Sequence, residues 1–241
     1  MNRFALPLIL AFGLSLGGCS GDDGGGAERG DPFDTSLSTT PSGGPDPVGL
    51  GADPYPAGPY GFSQYSVIPN FQFLGWRDPA AGAYDPAALE VIKLSDYYDP
   101  DGAKGSRLLH VNLSAVWCGY CRAEHAGGDY ITQDGQQLHY EPIEEEVDAR
   151  APRGLRYLEA LVQDSVGGPA TKADLEGWAS EYAMGLPFVL DPNDKLAQVR
   201  DSLGSFPTNF LITTHDMKIV QKIAGANPDA LWDAADQYLA P

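Results

Sequence analysis

Apolar and polar positions over residues 62–241 fall into short blocks of two kinds. Alternating or continuous apolar runs at 71–74, 89–94, 108–115, 157–162, 188–190, 208–212 and 218–223 predict strands. The run at 108–115, LLHVNLSA, is mostly apolar and reads as a buried strand. Between these runs lie helix start and stop signals. A helix opens at 117–121 and continues to about Ala126, where Gly127 and Gly128 stop it. Thr171 with Asp174 three residues on forms a capping box for a helix to about Tyr182. Two further helices are expected at 195–202 and 229–239. Residues 99–102 and 191–194 carry turn signals, and a turn at His215 and Asp216 joins the last two strands. The stretch 129–153, with Glu144, Glu145 and Glu146, is expected as a loop plus an irregular helix. Strands alternating with helices, then a hairpin and a terminal helix, predict an α/β fold with helices on the faces of one sheet. Residues 62–241 suit a single domain.

Ahead of that domain the pattern changes. Met1, Asn2 and Arg3 precede an almost wholly apolar run over 4–16. That run is shorter than the roughly 20 residues of a spanning helix and suits a secretory signal. Leu16, Gly17, Gly18 and Cys19 resemble a bacterial lipobox. The resemblance implies a lipoprotein signal peptide at 1–18, a lipid on Cys19 and a periplasm-facing place in the cell envelope. Lipoproteins retained at the inner membrane of enteric bacteria carry Asp after the cysteine; Ser20 favours the outer membrane. Residues 20–60 contain ten Gly and seven Pro. Such a segment buries too little apolar surface to offset its ordering entropy, so 19–61 is expected as a disordered tether.

Charge narrows the partners. Fifteen Lys+Arg stand against 33 Asp+Glu, a formal net charge of −18. That balance offers no basic face for nucleic acid and no electrostatic hold on an anionic membrane. Three cysteines are too few for a disulfide scaffold or a four-cysteine zinc site.

With Cys19 assigned to the anchor, Cys118 and Cys121 remain, at a strand-to-helix junction. Two cysteines three apart on a first helical turn close a disulfide with little backbone change. Cys118, nearest the helix N-terminus, faces free backbone N–H groups and the positive end of the dipole, which favour thiolate. Cys121, one turn in, is expected to be more buried and less acidic, an arrangement that pairs an attacking thiolate with a resolving thiol. Two other readings stand beside this one. The pair supplies only half of a zinc site, and as a structural disulfide it closes a tiny loop that restrains little chain. Glu124 follows Cys121 by three residues, so both project from one side of a helix, where a carboxylate can take or return the Cys121 proton. His125 is a weaker candidate for that role.

The run 111–124, VNLSAVWCGYCRAE, followed downstream by 205–212, SFPTNFLI, resembles thioredoxin-fold proteins, and among them the TlpA-like extracytoplasmic thiol–disulfide oxidoreductases. The resemblance covers about 69–241. It implies a central mixed β-sheet flanked by helices, with an N-terminal strand extension and an inserted segment after the active-site helix. It also implies roles: Cys118 as nucleophile, Cys121 as resolving cysteine, Trp117 as the aromatic bordering the site, and Pro207 as a cis-proline facing the disulfide. Beside it, the Phe206 backbone pairs with an extended substrate segment. Glu124 matches a functional glutamate. Asn112 stands where many thioredoxins carry a buried Asp, so proton handling passes to Glu124. The Gly119-Tyr120 dipeptide, which tunes the potential, is shared with some periplasmic disulfide isomerases.

The function so implied is reduction of protein disulfides by a monomeric, lipid-anchored enzyme. It needs no cofactor or metal beyond the Cys118–Cys121 dithiol, and a membrane electron donor or acceptor restores it. Alternatives are an oxidase or isomerase, and a copper-binding chaperone using both cysteines and His215.

Overall fold

A computed structural model describes residues 55–241 apart from 79–83, 133–134, 202–203 and 226. The expected signal peptide, Cys19 and residues 20–54 of the tether lie outside the described residues. Within the remainder of the tether, Tyr55 already packs on the domain. Its hydroxyl donates to the Ile68 carbonyl at 2.8 Å, and its ring meets Tyr98 at 5.9 Å.

In chain order the elements are β1 (Gln72–Trp76), β2 (Glu90–Lys93), β3 (Leu108–Ala115), α1 (Gly119–Ala126), β4 (Gly128–Ile131), β5 (Gln137–Tyr140), α2 (Ile143–Arg150), β6 (Leu155–Gln163), α3 (Lys172–Tyr182), β7 (Phe188–Leu190), α4 (Ala197–Asp201), β8 (Thr208–Thr213), β9 (Ile219–Ala224) and α5 (Pro228–Tyr238). Seven strands form one sheet in the order β2-β1-β7-β6-β3-β8-β9. β3, β6 and β7 run parallel; β8 and β9 on one side and β1 and β2 on the other are antiparallel. Helices cross between the parallel strands because such strands need a long connection. The mixed sheet, the strand extension β1–β2 and the segment inserted after α1 are as expected.

β3 lies inside the sheet, between β6 and β8, and is buried at all eight positions. Its two faces differ. Leu109, Val111 and Leu113 meet Leu158 and Ala160 of β6 and Phe210 and Ile212 of β8 in an apolar layer with no exposure. On the other face His110, Asn112 and Ser114 are also fully buried. The register sets Tyr157 beside His110, and sets both Glu159 and Asn209 beside Asn112. A buried polar patch therefore lies in the middle of the sheet. α1 and α3 cover it where His125 meets Trp178, ring to ring at 5.2 Å, and α5 covers it where Trp232 meets His110 at 5.4 Å.

Residues 129–153 differ from expectation. The structure has a hairpin, β4–β5, followed by the regular helix α2. The hairpin buries one side chain of eight, Tyr140, so a hydrophobic alternation that would mark strands never develops. α2 buries only Ile143 and Val147, one turn apart. Its three glutamates occupy the first turn and Arg150 the last, which favours the helix through its dipole rather than through a visible apolar stripe.

Candidate redox site

β3 delivers the chain to the C-terminal end of the parallel strands, and α1 starts there. Cys118 is the N-cap residue of α1, and its Sγ accepts a hydrogen bond from the Cys121 backbone N–H at 3.1 Å. A sulfur thus occupies the place of a capping oxygen at the positive end of the helix. Gly127 ends the helix at a φ of 69°, its N–H bonded to the Ala123 carbonyl at 2.9 Å. Cys118 and Cys121 are joined by a disulfide across a Cα separation of 5.3 Å. The expected difference in burial between them is slight: Cys118 is 2% exposed and Cys121 0%. A capping side chain is folded back over the first turn, so both sulfurs lie under the surface.

The surroundings of Cys118 bring the other expected residues together. Trp117 is 50% exposed. Its indole N–H donates to Gln163 Oε1 at 2.8 Å, and its ring stands edge-on to buried Phe206 at 5.8 Å. The Phe206-Pro207 bond is cis. Pro207 leads into β8, which pairs with β3. On the other side, Tyr120 packs at a tilt against Tyr130 of the inserted hairpin, centroids 4.7 Å apart. A Cβ on Gly119 would lie 2.9 Å from the Tyr130 hydroxyl. The hairpin therefore borders the dithiol directly.

Glu124 is buried, at 5% exposure. Arg122, its near neighbour, turns away to pair with Glu181 at 2.9 Å. The two carboxyl oxygens of Glu124 each receive a side-chain amide, Asn112 Nδ2 at 3.0 Å and Asn209 Nδ2 at 3.0 Å. Asn209 is oriented for this because its own oxygen accepts from His110 Nε2 at 2.6 Å. Burial raises the Glu124 carboxyl to about 7, against the lowering effects of His125 and the two amides. A group poised there exchanges protons at neutral pH. Burial holds His110 down at about 4, so it is a neutral donor in this network.

Sequence reasoning places Asn112 and Glu124 in the site but does not single out Asn209, Tyr157 or Glu159. One signal for Glu159 exists: a carboxylate amid the apolar run LRYLEALVQ of β6. His215 lies elsewhere. Thr208, at the start of β8, pairs with Leu113, whereas Thr213 pairs with Leu108. His215 follows Thr213 and so sits at the opposite end of the sheet from the cysteines, its side chain exposed and 3.6 Å from Asp216. A two-cysteine, one-histidine copper set with His215 is not formed. Among the described residues no group of three His, Cys, Asp or Glu side chains is arranged to hold a metal ion, and no helix is long and apolar enough to cross a membrane.

No protein-family model and no curated protein matches the chain. Solved structures do resemble it. A thiol:disulfide interchange protein from Bacteroides sp. is 17% identical, with 75% of this chain and 92% of that one covered and a TM-score of 0.48. The thioredoxin domain of a thiol-disulfide oxidoreductase from Bacteroides vulgatus is 17% identical over 74% of this chain and 99% of that one, TM-score 0.47. An exposed lipoprotein thioredoxin from Streptococcus pneumoniae is 21% identical over 70% and 97%, TM-score 0.45.

Proposed function

We propose that the protein is a thiol–disulfide oxidoreductase that reduces protein disulfides at the cell envelope, held there by a lipid on Cys19. The observation that carries this reading is the Cys118–Cys121 disulfide at the start of α1, with one sulfur capping the helix, next to exposed Trp117, whose ring meets Phe206 of the cis Phe206-Pro207 bond. In the reduced state the Cys118 thiolate attacks one sulfur of a substrate disulfide. That S–S bond breaks, the partner sulfur leaves as a thiolate, and a mixed disulfide forms on Cys118. Cys121 then gives its proton to Glu124 and attacks Cys118 Sγ. The second substrate sulfur leaves, and two electrons have passed from the dithiol to the substrate. A membrane electron donor restores the dithiol. The substrate segment lies against Trp117, Gly119 and Tyr120 and pairs with the Phe206 backbone.

Cys121→Ser tests the chemistry. It is expected to accumulate mixed disulfides through Cys118, and a variant that traps none overturns the reading. The direction of flow is tested by the reduction potential: a value near thioredoxin's, about −270 mV, fits a reductase, and one near about −120 mV makes the protein an oxidant. Mass analysis of the mature chain tests the anchor, with a diacylglyceryl group on Cys19 as the expected result.

A further inference from the structure

Behind the dithiol lies a pair of groups that the thiol steps leave unused. The side chains of His125 on α1 and Glu159 on β6 are both without solvent exposure, and His125 Nε2 is 3.1 Å from Glu159 Oε2. The other ring nitrogen is committed. Nδ1 lies 2.7 Å from the Cys121 carbonyl oxygen, which only accepts, so Nδ1 carries a hydrogen. A single proton therefore lies between Nε2 and the carboxylate. The Tyr157 hydroxyl donates to the same Glu159 oxygen and reinforces its role as acceptor. Burial opposes a charge on His125, but Glu159 first, then the Cys121 carbonyl and Glu124, together outweigh it and raise the ring above the ordinary histidine range. Trp178 and Tyr182, at 5.2 and 5.1 Å, wall the ring in.

Glu124 immediately precedes His125 on α1. Asn112 of β3 and Asn209 of β8 donate to it, neutral His110 stands behind Asn209, Tyr140 comes from β5, and Glu159 and Tyr157 come from β6. The small pocket beside Glu124 is also lined by Glu141, whose half-exposed carboxylate lies 3.3 Å from His139, and α5 closes it with the apolar surfaces of Leu231 and Trp232. Arg122 points outward to Glu181. In this setting His125 supplies the positive charge and Glu159 the negative one, and the attraction of His125 on Glu124 exceeds the repulsion of Glu159.

We propose that Glu159 is a positioning residue for proton traffic at Cys121: it holds the proton on His125, and the resulting imidazolium, tied to the Cys121 carbonyl, keeps the buried Glu124 able to ionise. Without that charge a carboxyl so deeply buried stays neutral and has no place for the Cys121 proton. His125 and Glu159 themselves exchange nothing during the step; the proton passes from Cys121 Sγ to Glu124. The inference rests on Glu124 being the proton acceptor in the proposed reduction.

Two measurements on the mature protein test it. The first is nitrogen NMR of the His125 ring in the oxidised state between about pH 6 and 9. The wild-type ring is expected to carry both protons through neutral pH, and Glu159→Gln to show the neutral ring with its proton on Nδ1. A neutral wild-type ring at about pH 6 overturns the inference. The second is the pH dependence of the resolving step, read as release of a peptide from a mixed disulfide preformed on Cys118. Glu159→Gln is expected to move its midpoint up by about one pH unit; an unmoved midpoint overturns the inference. If Glu159→Gln fails to fold, His125→Gln is expected to give the same upward move. A wild-type protein that forms no mixed disulfide refutes the oxidoreductase reading instead, while the NMR measurement still reports on the pair.

Discussion

Replacing Glu124 with Gln separates a buried, ionising carboxyl from a surface one through stability alone. Burial raises this carboxyl from 4.5 to about 7, a difference that corresponds to roughly 3 kcal/mol. Because the folded value is the higher one, the unfolded chain releases the proton first. The stabilising contribution is complete below about pH 4.5 and is lost as pH rises through about 7. His125, also raised, loses its contribution in the same direction. Asp99, Asp216 and Asp236 are lowered and act oppositely, at acid pH. The three aspartates remain in both proteins and cancel in the difference between variant and wild type, which therefore reports Glu124 together with the part of the His125 shift that the Glu124 charge supplies. The substitution has its own cost. Asn112 and Asn209 each donate an amide to Glu124, and glutamine has one oxygen to receive them. One donor then faces another, at about 1–3 kcal/mol. Urea unfolding of the oxidised proteins at stepped pH is expected to show the variant less stable at about pH 5 by that amount. By about pH 8 the wild type has lost its roughly 3 kcal/mol and the two curves meet or cross. A stability difference that stays constant over this interval refutes the assignment of Glu124 as a buried group that titrates near neutrality.

Other outcomes follow from local geometry. A Cβ on Gly75 would stand 2.1 Å from the Phe188 carbonyl oxygen, so Gly75→Ala must part β1 from β7 and is expected to cost about 1–3 kcal/mol or more in chemical unfolding. Thr171→Ala removes the capping box in which Thr171 and Asp174 bond each other's backbone N–H, and a loss of about 1 kcal/mol is expected in the same assay. Gly119→Ala meets only the Tyr130 hydroxyl, the far end of a side chain on an exposed hairpin. Stability is expected to change by less than about 1 kcal/mol, while amide exchange in β4 and β5 accelerates. Unchanged exchange would show that the hairpin does not rest on the dithiol turn.

Much of the frame is legible in the chain itself. The bounds of β3 and β7 coincide with expectation, because a strand buried on both faces is a continuous run that needs no partner to be recognised. α3 is announced by Thr171 and Asp174, since a capping box is a local interaction. The hairpin β4–β5 is not legible, because one buried residue in eight leaves no period to read. The same limit applies inside β3. Its polar residues at 110, 112 and 114 look like interruptions of an apolar run until the register sets them against Tyr157, Glu159 and Asn209.

The sequence by itself determined the order of elements outside 129–153, the dithiol at a helix start and the proline that precedes β8, all of which depend on neighbours a few residues apart. Only the tertiary structure decided the state of Glu124. Whether a glutamate three residues after a cysteine is solvated or sealed depends on what the facing sheet presents. Here β3 and β8 present two amides to it, and β6 supplies a carboxylate that holds a charged imidazole at its side. Asn112 and Asn209 lie 12 and 85 residues from Glu124 along the chain, and Glu159 lies 34 residues from His125. Strand register, which packing of the whole sheet sets, brings them together.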